Sequence, residues 1–253
     1  LSVYNCSADG RRRPNFDLIA AHQPSVEFIA MRAGQSWGYR DSAFSYYFAE
    51  AQRIGVCILP YHVVFPGESA RRQMDSFLSI LEGVDLASVR LVLDLELDHG
   101  QTRSKITQTL NECLQILQAE TSRLPLVYSR ASWVNEHLSL RDLPELDWWL
   151  AHYLPRRSYP AYTHEFPCPP RLPEGLSAWR IHQTAERAPA IGGSGWYMDY
   201  DRWNGTRAEL LAYFGRAEQQ PAEACPLDGL ACPRRKIQPN SITAEKPIAM
   251  EVI

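Results

Sequence analysis

Residues 91–98 read Leu-Val-Leu-Asp-Leu-Glu-Leu-Asp, and few architectures can hold such a run. In a β-strand successive side chains point to opposite faces, so Leu91, Leu93, Leu95 and Leu97 share one face while Val92, Asp94, Glu96 and Asp98 share the other. In an ordinary sheet the acidic face has nowhere to go, because a buried carboxylate is costly unless it is paired or protonated. At the mouth of a barrel the leucines can pack outward against helices while the acids line a wet cleft near the strand's C-terminal end. The octet therefore predicts a strand over 91–98 whose acidic face opens into a barrel.

The rest of the chain supplies the repeat that a barrel needs. Apolar runs predict strands at 2–6, 26–32, 56–62, 124–129, 147–153, 178–184 and 196–200, beside the octet. Helical spacing predicts helices at 16–21, from Asp41-Ser42 to Gly55, at 69–81, 103–121, 131–137 and 206–214. Roughly eight strands alternate with helices in the first half and with loops in the second. That pattern favours an α/β fold, a distorted, TIM-like (β/α) barrel with mostly parallel strands and fewer helices in the C-terminal half. A chain of 253 residues suits one such domain, set at 1–215. Residues 216–253 lose all period and read as a tail or linker without fixed structure.

Composition narrows the function classes. A net charge of −3 gives no reason to invoke nucleic acid. No run reaches the ~20 apolar residues that cross a bilayer, and residues 1–10 lack the basic start and apolar core of a signal peptide. The six cysteines contain no CxxC; Cys6, Cys57 and Cys113 fall in apolar segments as buried small hydrophobes, while Cys225 and Cys232 could pair. No glycine-rich phosphate loop follows a strand, so no cofactor is expected.

The acidic octet suggests a chemistry. Same-face Cα atoms two residues apart lie ~6.6 Å from each other, so Asp94 and Glu96 feel one another's charge and split their titrations. A proton donor beside an anion is what glycosidic bond cleavage requires. A divalent-ion site or a solvated edge strand with charged gatekeepers would use the same residues.

In order along the chain, Arg32-Ala33-Gly34, Asp41, Gly55, Tyr61-His62, the Asp94-x-Glu96 motif, Trp149-Leu150-Ala151-His152-Tyr153, Trp179 with His182-Gln183, and Asp199 with Asn204-Gly205-Thr206 resemble the glycoside hydrolase family 25 lysozymes over about residues 3–214. The resemblance implies a muramidase that cuts the β-1,4 bond between N-acetylmuramic acid and N-acetylglucosamine. Glu96 would be the proton donor, Asp94 would stabilise the reacting sugar or orient its N-acetyl group, and Asp199 would share the cleft. Asn5, Arg32, Tyr61, His62, Trp149, Tyr153, Trp179 and Gln183 would bind the polysaccharide. The implied partner is peptidoglycan, met outside the cell or at the wall, by a monomer that uses neither nucleic acid nor membrane.

One position departs from the family. Its members open with Asp-x-Ser on the first strand, where this chain has Asn5-Cys6-Ser7. An amide keeps hydrogen bonding and loses the charge. The alternative is therefore a catalytically impaired peptidoglycan-binding barrel, with Asp9 as a candidate substitute for the missing acid. A chitinase-like enzyme would carry another Asp where this chain has Val92. Local readings also compete: His62 as a buried histidine, Asp41 as a helix cap, and the tryptophans as core.

Overall fold

The structure, a computed structural model, describes residues 13–154, 169–189, 191 and 197–216. Among these residues eight strands form one sheet in the order β2-β1-β3-β4-β5-β6-β7-β8. They are β1 (Phe28–Gln35), β2 (Tyr39–Arg40), β3 (Cys57–Val63), β4 (Val92–Asp94), β5 (Leu126–Ser129), β6 (Trp148–Ala151), β7 (Ile181–Pro189) and β8 (Tyr197–Trp203). Pairs from β1 through β7 are parallel, whereas β2 on β1 and β8 on β7 are antiparallel. The sheet curls into a half-barrel flanked by α1 (Phe16–Ala20), α2 (Phe44–Ile54), α3 (Ala70–Ile80), α4 (Arg103–Thr121), α5 (Ala131–His137) and α6 (Arg207–Tyr213). This is the distorted α/β barrel expected from the sequence.

Strand alternation sorts the core into two layers. Ile29, Met31, Ile58, Leu91, Leu93, Val127, Trp148 and Leu150 point outward and pack against helix residues such as Phe48, Met74, Phe77, Leu110 and Leu114. Phe28, Ala30, Cys57, Leu59, Tyr61, Val92, Leu126, Tyr128, Trp149 and Ile181 point inward. At the N-terminal end of the parallel strands the interior is plugged by Leu210, Leu211 and Phe214 of α6 and its C-cap, packed on Trp203. Arg90 locks this plug by donating to the Tyr213 carbonyl, and Arg216 donates to the carbonyls of Gly55 and Val56 at 2.7 and 3.0 Å.

Helix ends follow local chemistry. Ser69 caps α3, Thr102 caps α4, and Thr206 with Glu209 forms a capping box on α6. Gly55 stops α2 in the left-handed region at φ 80°, as its sequence position suggests. Asp41 serves α2 from outside the helix: its carboxylate accepts the Ala43 N–H at 3.0 Å, while Ala43 is the cap residue and makes no side-chain capping bond.

Several boundaries differ from expectation, and each has a cause. The octet is a strand only over Val92–Asp94. Leu95 remains tied to β5, donating its N–H to the Tyr128 carbonyl at 3.0 Å and accepting the Ser129 hydroxyl at 2.7 Å. β5 ends there, no neighbour carries the ladder further, and the chain turns through His99 and Gly100 at positive φ. Leu97 is therefore 40% exposed rather than packed outward. The strand expected at 178–184 begins at Ile181 and continues to Pro189 because the antiparallel β8 extends its ladder. The β1–β2 hairpin was not expected; it depends on Gly34, where a Cβ would lie 2.6 Å from the Tyr39 carbonyl oxygen. Cys57 and Cys113 are buried and free. The strand expected at 2–6, with Asn5, Cys6 and Asp9, lies outside the described residues, as do Cys168, Trp196, Cys225, Cys232 and positions 217–253.

Candidate active site

The C-terminal ends of β1 and β3–β7 and the N-terminal end of β8 meet at the end of the barrel opposite the α6 plug. Asp94, the last residue of β4, stands beside Tyr128, which stands beside Trp149 in the ladder. From this inward row a hydrogen-bonded band crosses to β8. The Tyr128 hydroxyl donates to Gln183 Oε1 at 2.7 Å, Gln183 Nε2 reaches Asp199 Oδ2 at 3.5 Å, and Trp149 Nε1 donates to Asp201 Oδ1 at 2.7 Å. On the other side Arg32 donates to Asp41 Oδ2 at 2.9 Å and to the Tyr39 hydroxyl at 3.1 Å.

The two carboxyls of the motif occupy different surroundings. Asp94 is buried and its Oδ1 has no hydrogen-bond partner among the described residues. Burial, then the charge of Glu96, pushes the Asp94 carboxyl well above the usual carboxylate range, with Arg32 opposing. Glu96 opens to solvent on one side while the cleft walls desolvate it on the other. That partial burial raises its pKa first; Arg130 pulls it down, and Asp199 and Glu186 push it up. The expected picture, an ionised Asp94 holding a proton on Glu96, is thereby modified: both carboxyls are raised mainly by burial, and the negative charges that push Glu96 further up are Asp199 and Glu186. Four acids with Arg32 and Arg130 as the nearby cations favour retaining at least one proton as pH approaches neutrality. Burial also raises Tyr128 and Tyr153 above the usual phenol range.

Of the residues expected in the site, Asp94, Glu96, Asp199, Arg32, Tyr61, Trp149, Tyr153 and Gln183 converge on this end of the barrel. Tyr61 lies one layer deeper, level with Val92. Trp149 is a wall of the barrel, its ring edge-on to Tyr128 at 4.9 Å. His62 and Trp179 do not join them. The His62 ring points outward against Phe77 of α3, centroids 5.1 Å apart, with both nitrogens buried and unpartnered among the described residues. Burial lowers its pKa to about 4, the Ser36 backbone opposing weakly. Trp179 precedes β7, at the plugged end, and packs partly buried against the outer layer. Asn5 lies outside the described residues.

Sequence reasoning missed Tyr128, Arg130, Glu186 and Asp201. Period-two alternation would have found Asp201, two residues beyond Asp199, and Tyr128, at the end of an apolar run in register with Asp94. Asp201 is buried and desolvation raises it well above the carboxylate range. Glu186 lies two residues past the expected strand end at 184, within the stretch by which β7 continues to Pro189. Among the described residues the large apolar side chains left exposed are Leu18, Trp37, Tyr39, Leu97 and Tyr153, and all but Leu18 follow strands that end at the mouth. Exposed apolar area gathered around a cleft marks a binding surface. No three metal-ligating side chains converge among the described residues, so the divalent-ion reading of the octet gains no support there.

Known proteins are similar to this chain in sequence and fold. The chain is 26% identical over 197 residues to the uncharacterized protein YegX of Escherichia coli K12, covering 78% of this chain and 66% of YegX. It is 25% identical over 198 residues to lysozyme M1 of Streptomyces globisporus, covering 74% of this chain and 63% of that protein. The matched stretch thus spans just under two thirds of either relative. The crystal structure of the bacterial lysozyme from Streptomyces coelicolor superposes with a TM-score of 0.65 at 22% identity, covering 81% of this chain and 93% of that one, and so shares the fold. The sequence model of glycosyl hydrolases family 25 matches residues 12–192, well over half the chain, and the chain belongs to that family.

Proposed function

We propose that this protein is a peptidoglycan-degrading muramidase that hydrolyses the β-1,4 bond between N-acetylmuramic acid and N-acetylglucosamine. One observation carries the reading: a solvent-open Glu96 beside a buried Asp94 whose Oδ1 has no partner among the described residues, at the open end of a family 25 barrel. The lysozyme names of its relatives agree with it.

Glu96 donates its proton to the glycosidic oxygen as the C1–O bond breaks, so the leaving sugar departs as an alcohol. The substrate's own acetamido oxygen closes on C1, and the unpartnered Asp94 Oδ1 accepts the acetamide N–H, holding that oxygen in line. Water then attacks C1 and loses a proton to Glu96, which restores the acid. Asp199 adds negative charge where the sugar turns cationic, and Gln183 and Tyr128 fix its position. Because the acetamido group supplies the nucleophile, an amide at position 5 is compatible with turnover. Tyr153 overhangs the cleft and, with Arg32, binds the chain on either side. Residues 1–215 act as the catalytic barrel and 216–253 as a tail or linker, and the protein works at the cell wall.

Mass spectrometry of digested murein tests this reading: products should end in reducing N-acetylmuramic acid, and ends in N-acetylglucosamine would refute the bond assignment. The second reading, a binder without turnover, rests on Asn5. It predicts retention on insoluble murein with no new reducing ends, and cutting restored by Asn5→Asp.

A further inference from the structure

The cleft gathers Asp94, Glu96, Glu186 and Asp199, yet the proposed substrate is itself an anionic polymer, since peptide stems on its muramic acid units end in carboxylates. A groove of one sign repels a ligand of the same sign unless cations stand where the ligand's charges fall. Arg32 has its charge met by Asp41, so it can hydrogen-bond the sugar without offsetting the ligand's carboxylates.

The rim sector after β1 supplies a cation. The β1–β2 turn lifts Trp37 into solvent, 48% exposed. Arg72, in the first turn of α3, lays its guanidinium over the indole, 3.9 Å from the ring centroid. α3 follows β3, so its N-terminal turn stands at the mouth. Arg72 makes no ion pair among the described residues, whereas Arg71 beside it is taken by Asp75 at 2.9 Å. Glu68, just before α3, accepts the Ser36 hydroxyl. Stacking holds a guanidinium flat while leaving its N–H edge free, and a flat N–H edge is the geometry that receives a carboxylate through two parallel hydrogen bonds.

We infer that Trp37 and Arg72 form a docking platform for the carboxylates of the peptide stems, next to but separate from the sugar cleft. The inference rests on the muramidase reading and specifies how that substrate is aligned. Trp37 sets the plane of the guanidinium and covers the apolar part of the stem; Arg72 binds its carboxylate. The glycan strand then enters the cleft with its stems directed over the β1–β2 side of the rim.

The test measures binding in the full chain carrying Glu96→Gln, which prevents cutting from confusing affinity. The probes are soluble murein chains with free stem carboxylates and the same chains with those carboxylates converted to amides. The protein should bind the charged chains about threefold to fivefold more tightly at low salt, the range of an exposed ion pair, and the preference should shrink as salt is added. Adding Arg72→Gln should abolish the preference while leaving affinity for the amidated chains unchanged. Adding Trp37→Ala should reduce the preference, because the guanidinium loses its support. No preference in the parent, or a full preference retained in both variants, overturns the inference. A preference that depends on Arg72 in a protein whose Glu96 form releases no reducing ends would refute the muramidase reading and leave the platform standing.

Discussion

The two ends of the barrel are built on opposite terms. At the plugged end Leu210, Leu211 and Phe214 fill the interior against Phe28, Cys57 and Trp203, and backbone carbonyls near the rim receive Arg90 and Arg216. At the mouth a buried carboxylate oxygen lacks a partner, two motif acids are held above their usual range, and aromatic side chains stand in solvent. The first end is packed for stability. The second keeps groups in costly states that a well-packed core would eliminate, which is the signature of a site where reactivity is maintained at the expense of folding energy.

Substitutions at the two ends should therefore move different observables. Glu96→Gln should lower murein turnover by about 10²- to 10⁴-fold, the contribution of a positioned acid, with little change in the unfolding midpoint; a variant with parental activity in a turbidity assay would remove Glu96 from its role. Phe214→Ala should instead cost about 3–5 kcal/mol in denaturant unfolding, and activity should fall only as the folded fraction falls.

The outer layer sharpens the contrast through pH. His62 is buried as a neutral ring with its pKa lowered to about 4 from an unfolded value near 6.5. A base held below its unfolded pKa contributes stability above ~6.5 that is lost as pH falls toward ~4, roughly 3 kcal/mol in all. His62→Phe should flatten that part of the pH–stability curve, and an unchanged acid limb would show that other groups set it.

Asp94 has the opposite sign. A carboxyl raised above its unfolded pKa contributes stability below ~4 that is lost as pH rises through its folded pKa. Asp94→Asn should therefore be the more stable form at pH 7, by about 1 kcal/mol, with the gap closing below pH 4, while turnover drops. Equal thermal midpoints for parent and variant at both pH values would mean that Asp94 is not held under strain. For the reaction, Glu96 must start protonated, so activity should fall as pH rises through its raised pKa.

Much of this contrast was legible before any coordinates. Period two in the octet placed Asp94 inward and Leu93 outward, and the sequence reading of helices at about 103–121 and at 131–137 matches Arg103–Thr121 and Ala131–His137. Sheet closure was harder to read. The end of β4 at Asp94 is dictated by its neighbour β5 running out, which a single strand's own sequence does not encode. β8 pairs antiparallel with β7, as suits two strands with too little sequence between Pro189 and Tyr197 for a helical crossover, and this brings Glu186 and Asp201 into play. His62 and Trp179 looked like site residues by type; their facing, outward and toward the plugged end, follows from register and strand direction, which residue type does not report.

The α6 plug bears on where this domain ends. The match to the family's sequence model ends at residue 192, but the floor of the barrel is sealed by side chains as late as Phe214. Shortening the chain to that region would remove Leu210, Leu211 and Phe214 and unseal the core from beneath. Arg216, tethered to the carbonyls of Gly55 and Val56 on the underside, thus leaves the barrel at the end opposite the acids, and whatever follows it in sequence starts from there.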